Sequence, residues 1–398
     1  MAWEIVFQNT TILRTNCNQA PRMLIVEGPV QSNPAFLWRH SQILDSYTSA
    51  VCLHGHTLHS EECLSFLPRY LHLVPGISQI VGRYERGPHA VDFARAWWTP
   101  PLTPSSALRL ERGQIAKLGL RPMVSLTDHD NIEAGMALQV NNDPREVPVS
   151  VEWTVPYERS ILHLGIHNLP PARARASVET MAAFTAAPRE EQLPELLDAL
   201  HAIPEVLIVL NHPYWLEEGV TEADHKRALA RVLRECLPWF HAFELNGTRR
   251  WHENSAVIDL ARAHHRPIIS GGDRHAGEPS ACLNLTRARS FAEFAAEIRD
   301  GFSSVCFMPH YREPMPLRVL EAAWDILRPY PEYPGRERWT DRVYYRCSDG
   351  VARPVSAIWG DKMPLVLRPA TGMVQFLASA QMRQALRLLL SSRVEALP

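Results

Sequence analysis

The sequence predicts an α/β protein organised as a (β/α) barrel with an extension at each end. Three observations lead there. Through the middle of the chain, apolar runs of strand character alternate with segments of helical period, the sign of βα units and a mostly parallel sheet. Almost every apolar run stops at a histidine, a carboxylate or an asparagine. The chain has 398 residues, enough for a barrel of about 250 residues with appendages.

Residues 1–49 precede the alternation and are β-rich by composition. The first strand, 49–53, ends at His54, and an insertion at about 66–105 separates it from the next unit. Strands then follow at 122–126, running into Thr127-Asp128-His129, and at 147–151, running into Glu152. Shorter or more apolar runs lead into His163 (161–162), Asn211-His212 (206–210), Asn246 (242–245) and Gly271-Gly272-Asp273 (267–270), with a last strand at 303–308. Between them, apolar residues at three-to-four spacing predict helices over 106–118, 131–140, 190–202, 221–236, 254–265 and 291–300. Thr221, with Asp224 three positions on, and Asn254 are the expected N-caps. In a barrel of this kind polar residues gather at the C-terminal ends of strands, where active sites lie. Residues 310–398 fall outside the rhythm, with helical stretches at 316–327 and 373–390 around a middle rich in Pro, Arg and Tyr.

Composition narrows the function classes. With 46% apolar and 21% charged residues and a formal net charge of -2, the chain is neither disordered nor a membrane protein in type. The balanced charge argues against a long nucleic-acid footprint. Seven cysteines without a CxxC pair point to reduced thiols. The N-terminus lacks a basic region followed by an apolar one, and no apolar run approaches the roughly 20 residues of a membrane span. A cytoplasmic location is therefore expected; the oligomeric state stays open.

The polar strand ends suggest a polynuclear metal site. His54 and His56, two apart in extended chain, project to one face, with Gly55 leaving room for backbone approach. Glu62, six residues beyond His56, can turn back to a second ion; Glu61 is its rival, and either could serve as a helix N-terminal charge. His129 stands with Asp128 and Asp130 directly after an apolar strand, where unpaired charges are costly without cations or water. Glu152 lies in an apolar neighbourhood, where bridging two cations would keep its charge. His163 could be a core histidine when taken alone. His212 is followed by Pro213, which turns the backbone away. Asp273 and His275 share a face after two glycines.

Taken together, these residues resemble the PHP family, the polymerase-and-histidinol-phosphatase domain. That family's order is HxH, an acid or His six residues on, TDH, Glu, His, HP and DxH. Here the positions are His54, His56, Glu62, His129, Glu152, His163, His212, Asp273 and His275, spanning about residues 50–309. The resemblance implies a distorted seven-stranded (β/α) barrel and two or three divalent ions of zinc, manganese or iron. It also implies hydrolysis of a phosphate ester by water that the metals activate. It further implies Glu152 as the bridging carboxylate, with His54, His56 and Asp273 on one ion, His163 and His212 on a second, and Glu62, His129 and His275 on a third. Arg274, and Arg249 with Arg250, are candidate phosphate contacts, although Arg274 could as easily pair with Glu278 and the other two could be a solvated loop pair. Asp128 is a candidate to orient a ligand histidine or carry a proton. The first motif comes later than usual in the chain, the stretch from His56 to His129 is longer, and Ser150-Val-Glu152 replaces the common Gly-Ile-Glu.

A small phosphorylated metabolite or nucleotide is the expected substrate. An oligonucleotide end, hydrolysed by a phosphodiesterase or exonuclease, is the alternative. Arginines 69, 83, 86 and 95, interleaved with Tyr84, Trp97 and Trp98, could clamp one nucleotide or form a lid. An amidohydrolase would lack TDH and DxH and need a strand-end lysine or acid at mid-barrel. A non-catalytic PHP module would have lost ligands.

Overall fold

The computed structural model describes residues 33–64, 92–360, 367–390 and 397. Most of the N-terminal extension and of the insertion, with Arg69, Arg83, Tyr84 and Arg86, lies outside the described residues. In chain order the strands are β1 (Ala35–Phe36), β2 (Ser49–Cys52), β3 (Glu62–Cys63), β4 (Ala96–Trp98), β5 (Arg121–Val124), β6 (Val151–Tyr157), β7 (Ser160–His167), β8 (Leu207–Asn211), β9 (Ala242–Asn246), β10 (Ile268–Gly271), β11 (Cys282–Thr286), β12 (Val305–Phe307), β13 (Val343–Arg346) and β14 (Ala352–Pro354). They form two five-stranded sheets, β1-β12-β11-β2-β5 and β10-β9-β8-β7-β6, and a four-stranded sheet, β14-β13-β4-β3.

The fold is thus mixed α/β, but among the described residues the strands do not pair into one closed barrel. The two larger sheets meet at strand ends through isolated parallel bridges, Gly55 with Arg274 and His129 with Glu152. Around the first bridge, Gly272 N donates to Leu53 O (2.8 Å), Asp273 N to His54 O (2.7 Å) and His56 N to Arg274 O (2.8 Å). Around the second, Asp130 N donates to Glu152 O (2.9 Å) and Glu152 N to Asp128 O (3.2 Å). Within a sheet expected to be mostly parallel, β7 runs antiparallel to both β6 and β8. The physical reason is the tight turn at 158–159: two residues can reverse a strand but cannot cross over to a parallel one. β11, not foreseen, is antiparallel to β2 and β12.

One apolar cluster spans both large sheets, with Val51, Met123, Leu207, Val209, Ala242 and Ile269, and Phe291 and Phe294 from the helix Phe291–Arg299 pack against it. Arg299 of that helix donates to Val206 O beside the start of β8, so the opposite strand ends are left for polar residues. A second cluster joins β6–β9 to the helices Pro171–Ala186, Leu193–His201 and Glu222–Cys236. Its largest member, Trp153, is fully buried and donates its indole N–H to Thr185 Oγ1 at 3.0 Å. Truncating a buried aromatic of this size costs about 3–5 kcal/mol. Thr221 caps its helix by accepting from Asp224 N. Asn254 is not a cap: it lies inside the helix Trp251–Ala263, where its side chain accepts from Asn246 N (2.8 Å) and donates to Asn246 O (3.0 Å), pinning the end of β9.

The C-terminal region contributes strands as well as helices. β13 pairs with β4, which pairs with β3, so this region shares a sheet with Glu62. Among the described residues no helix is long and apolar enough to cross a membrane.

Candidate metal centre

The joined strand ends bring together side chains from both large sheets. His54, His212 and Asp273, each immediately after or within one or two residues of a strand end, all have positive φ, at 63°, 24° and 48°. For residues with a Cβ such backbone costs about 1–3 kcal/mol each and clusters at functional sites. It turns three polar side chains to one place.

Glu152 is the hub. Its Oε2 lies 2.8 Å from His54 Nε2, 3.4 Å from His56 Nε2 and 3.5 Å from His129 Nδ1, and its Oε1 lies 3.1 Å from His212 Nε2. Asp273 Oδ1 is 3.7 Å from His54 Nε2, 3.6 Å from His56 Nε2 and 3.8 Å from His275 Nδ1. Glu62 Oε2 is 3.3 Å from His275 Nε2 and 3.6 Å from His129 Nε2, while its Oε1 is 3.6 Å from His56 Nδ1. Four triplets offer ligand atoms within 4.8 Å of one another: His54-Glu152-His212, His54-His56-Asp273, His56-Glu62-His275 and His56-His129-Glu152. His163 adjoins them, its ring centroid 5.1 Å from that of His129 and 5.2 Å from that of His212. His163 joins none of the triplets, and His56 stands with Glu62 and His275 in one of them, with His129 Nε2 also 3.6 Å from Glu62 Oε2.

The electrostatics separate the histidines. Burial acts to lower His54, but the charges of Glu152, Glu244 and Asp273 carry it well above its ordinary value. Burial is likewise outweighed at His275, which Glu62 and Asp273 raise to about 9. At His56 burial and the charge of His275 win, lowering it to about 4, and burial drives His163 well below the usual imidazole range. The carboxylates Glu152 and Asp273 sit well below the ordinary range because the histidine charges outweigh their burial. The carboxylates thus stay charged inside the buried cluster.

Its donor set fits divalent cations. His56 Nε2 is buried without a hydrogen-bond partner although it faces the oxygens of Glu152 and Asp273, and a buried polar atom left unmade is costly. Imidazoles mixed with carboxylates suit zinc, manganese or iron.

No family model and no curated protein matches the chain. Among solved structures it is similar to PsfC from Pseudomonas syringae at 14% identity and a TM-score of 0.36, covering 69% of this chain and 96% of that one. It is similar also to a "putative metal-dependent phosphoesterase" from Bifidobacterium adolescentis at 16% identity and a TM-score of 0.28, covering 50% of this chain and 92% of that one. Neither score is high enough to establish a common fold.

The three other candidates fare differently. Arg274 turns away from the cluster: it is buried, pairs with Glu111 and donates to Glu278 O. Those two partners occupy its guanidinium on the side away from the donors. Asp128 is also engaged elsewhere, its two oxygens accepting from Thr57 N and Thr57 Oγ1 (2.5 and 2.8 Å). It anchors the chain after His56; burial raises it to about 7 against those bonds. Arg249 stays at the cluster, its Nη2 3.3 Å from Asp273 Oδ2 and its guanidinium stacked 3.7 Å from the Trp215 ring centroid. Arg250 begins the next helix as its N-cap.

Sequence reasoning missed the groups that orient the donors. Glu244 Oε1 lies 2.9 Å from His54 Nδ1, directing His54 Nε2 toward Glu152, and its Oε2 accepts from His212 N at 3.2 Å. The signal was a carboxylate inside the apolar run of β9. Asn211 Nδ2 donates to Glu152 Oε1 (2.9 Å), Asn246 Nδ2 to Asp273 Oδ2 (3.0 Å), and Ser60 Oγ to Glu62 Oε1 (2.6 Å).

Proposed function

We propose that the chain is a metal-dependent phosphoesterase of the PHP type, a distorted seven-stranded (β/α) barrel acting on a small phosphorylated substrate. The observation that carries this reading is the buried convergence on Glu152 and Asp273, with His56 Nε2 facing both carboxylates and bonded to neither. The proposed ligands are His54, His56, Glu62, His129, Glu152, His163, His212, Asp273 and His275. Two or three divalent ions of zinc, manganese or iron held by them would supply Lewis acidity and a nucleophile drawn from water at neutral pH.

The chain's own residues do the rest. Glu152 reaches histidines from both large sheets, which suits a bridging carboxylate. Glu244 fixes the His54 ring so that one nitrogen stays directed at the cluster. Arg249, its plane held against Trp215, keeps an N–H edge at the cluster where a phosphate oxygen would accept it. A second reading, hydrolysis at an oligonucleotide end, draws on the sheet bearing Glu62, where Trp97 stacks on Tyr344 and Arg346 lies over Trp97.

The test is turnover. Protein stripped and reloaded separately with zinc, manganese and iron would be given an aryl phosphate, phosphomonoesters, nucleotide bisphosphates and short RNA. The expectation is metal-dependent release of phosphate from a monoester, with His212→Ala losing more than the roughly 10–100-fold typical of an outer partner. Preference for RNA would favour the second reading. No hydrolysis of any substrate under any ion would overturn both.

A further inference from the structure

Two of the three donors in the triplet His56-Glu62-His275 stand on elements held by the C-terminal region. Glu62 lies in β3, opposite Trp98 of β4, and Trp98 lies opposite Val343 of β13. Thr99 N, just past β4, donates to Arg342 O at 2.9 Å. The Trp98 ring centroid is 5.7 Å from that of His275. On the other side, the loop of His275 is gripped by the helix Met315–Leu327: Gly277 N donates to Asp325 Oδ2. A Cβ on Gly277 would lie 2.5 Å from that oxygen, so a larger residue there must shift the loop or Asp325. Asp325 itself is fixed, its carboxylate by Arg328 and its carbonyl by Tyr330 O–H at 2.8 Å. Behind it, buried Arg342 donates to the carbonyls of Ile326, Arg328, Arg336 and Glu337.

The remaining donors are organised otherwise. His54, Glu152, His212 and Asp273 stand at or near the ends of β2, β6, β8 and β10, tied by the backbone bonds that join the two large sheets. We propose that the C-terminal segment 315–346 assembles the outer cation position of His56, Glu62 and His275, with Asp325 as its positioning residue. This rests on the metal reading above. The inner positions then fill independently of that segment, and its contact with Gly277 controls whether the outer position is complete.

The experiment is metal analysis of the full chain after equilibrium dialysis against limiting manganese or zinc. Asp325→Ala is expected to bind one cation fewer than the unaltered chain, or to bind it roughly 10–100-fold more weakly. Gly277→Ala, which pushes on the same contact from the loop side, should do likewise and covers the case in which Asp325→Ala does not fold. Asp325→Asn, whose amide oxygen can still accept from Gly277, should rescue the full complement. Arg328→Ala, which removes the donor that holds the Asp325 carboxylate, should weaken the outer position in the same direction but less than Asp325→Ala. A folded Asp325→Ala and Gly277→Ala that keep every cation at full affinity, or lose all of them together, would overturn the proposal. An unaltered chain that binds no cation at all would instead overturn the metal reading and this inference with it.

Discussion

Glu244 is buried in β9 with Phe243 and Leu245 as neighbours, and its carboxylate is accommodated only because position 271 is glycine: a Cβ there would lie 1.7 Å from Glu244 Oε1. A buried carboxylate kept at such a cost to its neighbours is explained by the ring it directs. Glu244→Gln should weaken cation binding roughly 10–100-fold, measured by competition with a chromogenic chelator. Unchanged affinity would reduce Glu244 to a packing group. At this scale, short-range spacing was legible: His54 with His56 and Asp273 with His275 each share a face within three residues, and both pairs converge in the structure. What spacing hides is the partner. Nothing near Arg274 in sequence announces Glu111, more than a hundred and fifty positions away on the helix Pro104–Ala116, and nothing near His54 announces Glu244.

Among elements, strands that end in polar residues were readable because burial on both faces demands a continuous apolar run, as in β8 and β9. The helix Pro171–Ala186 escaped because only Ala174, Met181 and Phe184 are buried along its length, so its sequence lacks an apolar stripe. β3 escaped because its pairing depends on β4 and, through it, on β13 far along the chain. The junction of β8 and β9 gives a prediction in pH. His241 Nδ1 accepts from Ile208 N at 2.8 Å, and its Nε2 lies 2.8 Å from His201 Nδ1. Burial, with the charge of Arg299, lowers His241 to about 2. Its folded value lies below its unfolded one of about 6.5, so below that pH the unfolded chain takes up a proton that the fold refuses. Stability from His241 is present above about pH 6.5 and is lost as pH falls below it. Urea midpoints at pH 7.5 and 5.5 should therefore differ less for His241→Gln than for the unaltered chain. Equal differences would contradict the assignment.

For the molecule as a whole, the sequence reading captured an α/β architecture with chemistry at one set of strand ends, but not that two sheets meet there through isolated bridges. That seam has a consequence. His54, Asp273 and His275 come from one junction and His129 and Glu152 from the other, so the cluster forms only when both are closed. Cations shared across the seam would bind the folded chain in preference to the unfolded one and add to its stability by mass action. The most direct measurement is anomalous X-ray diffraction from crystals of the chain grown with zinc, manganese or iron, collected on either side of the metal's absorption edge. The account predicts peaks between Glu152 Oε2, Asp273 Oδ1 and the nitrogens of His54 and His56, with a further one beside Glu62 and His275. Crystals saturated with each ion that show no anomalous density among the nine proposed ligands would contradict it.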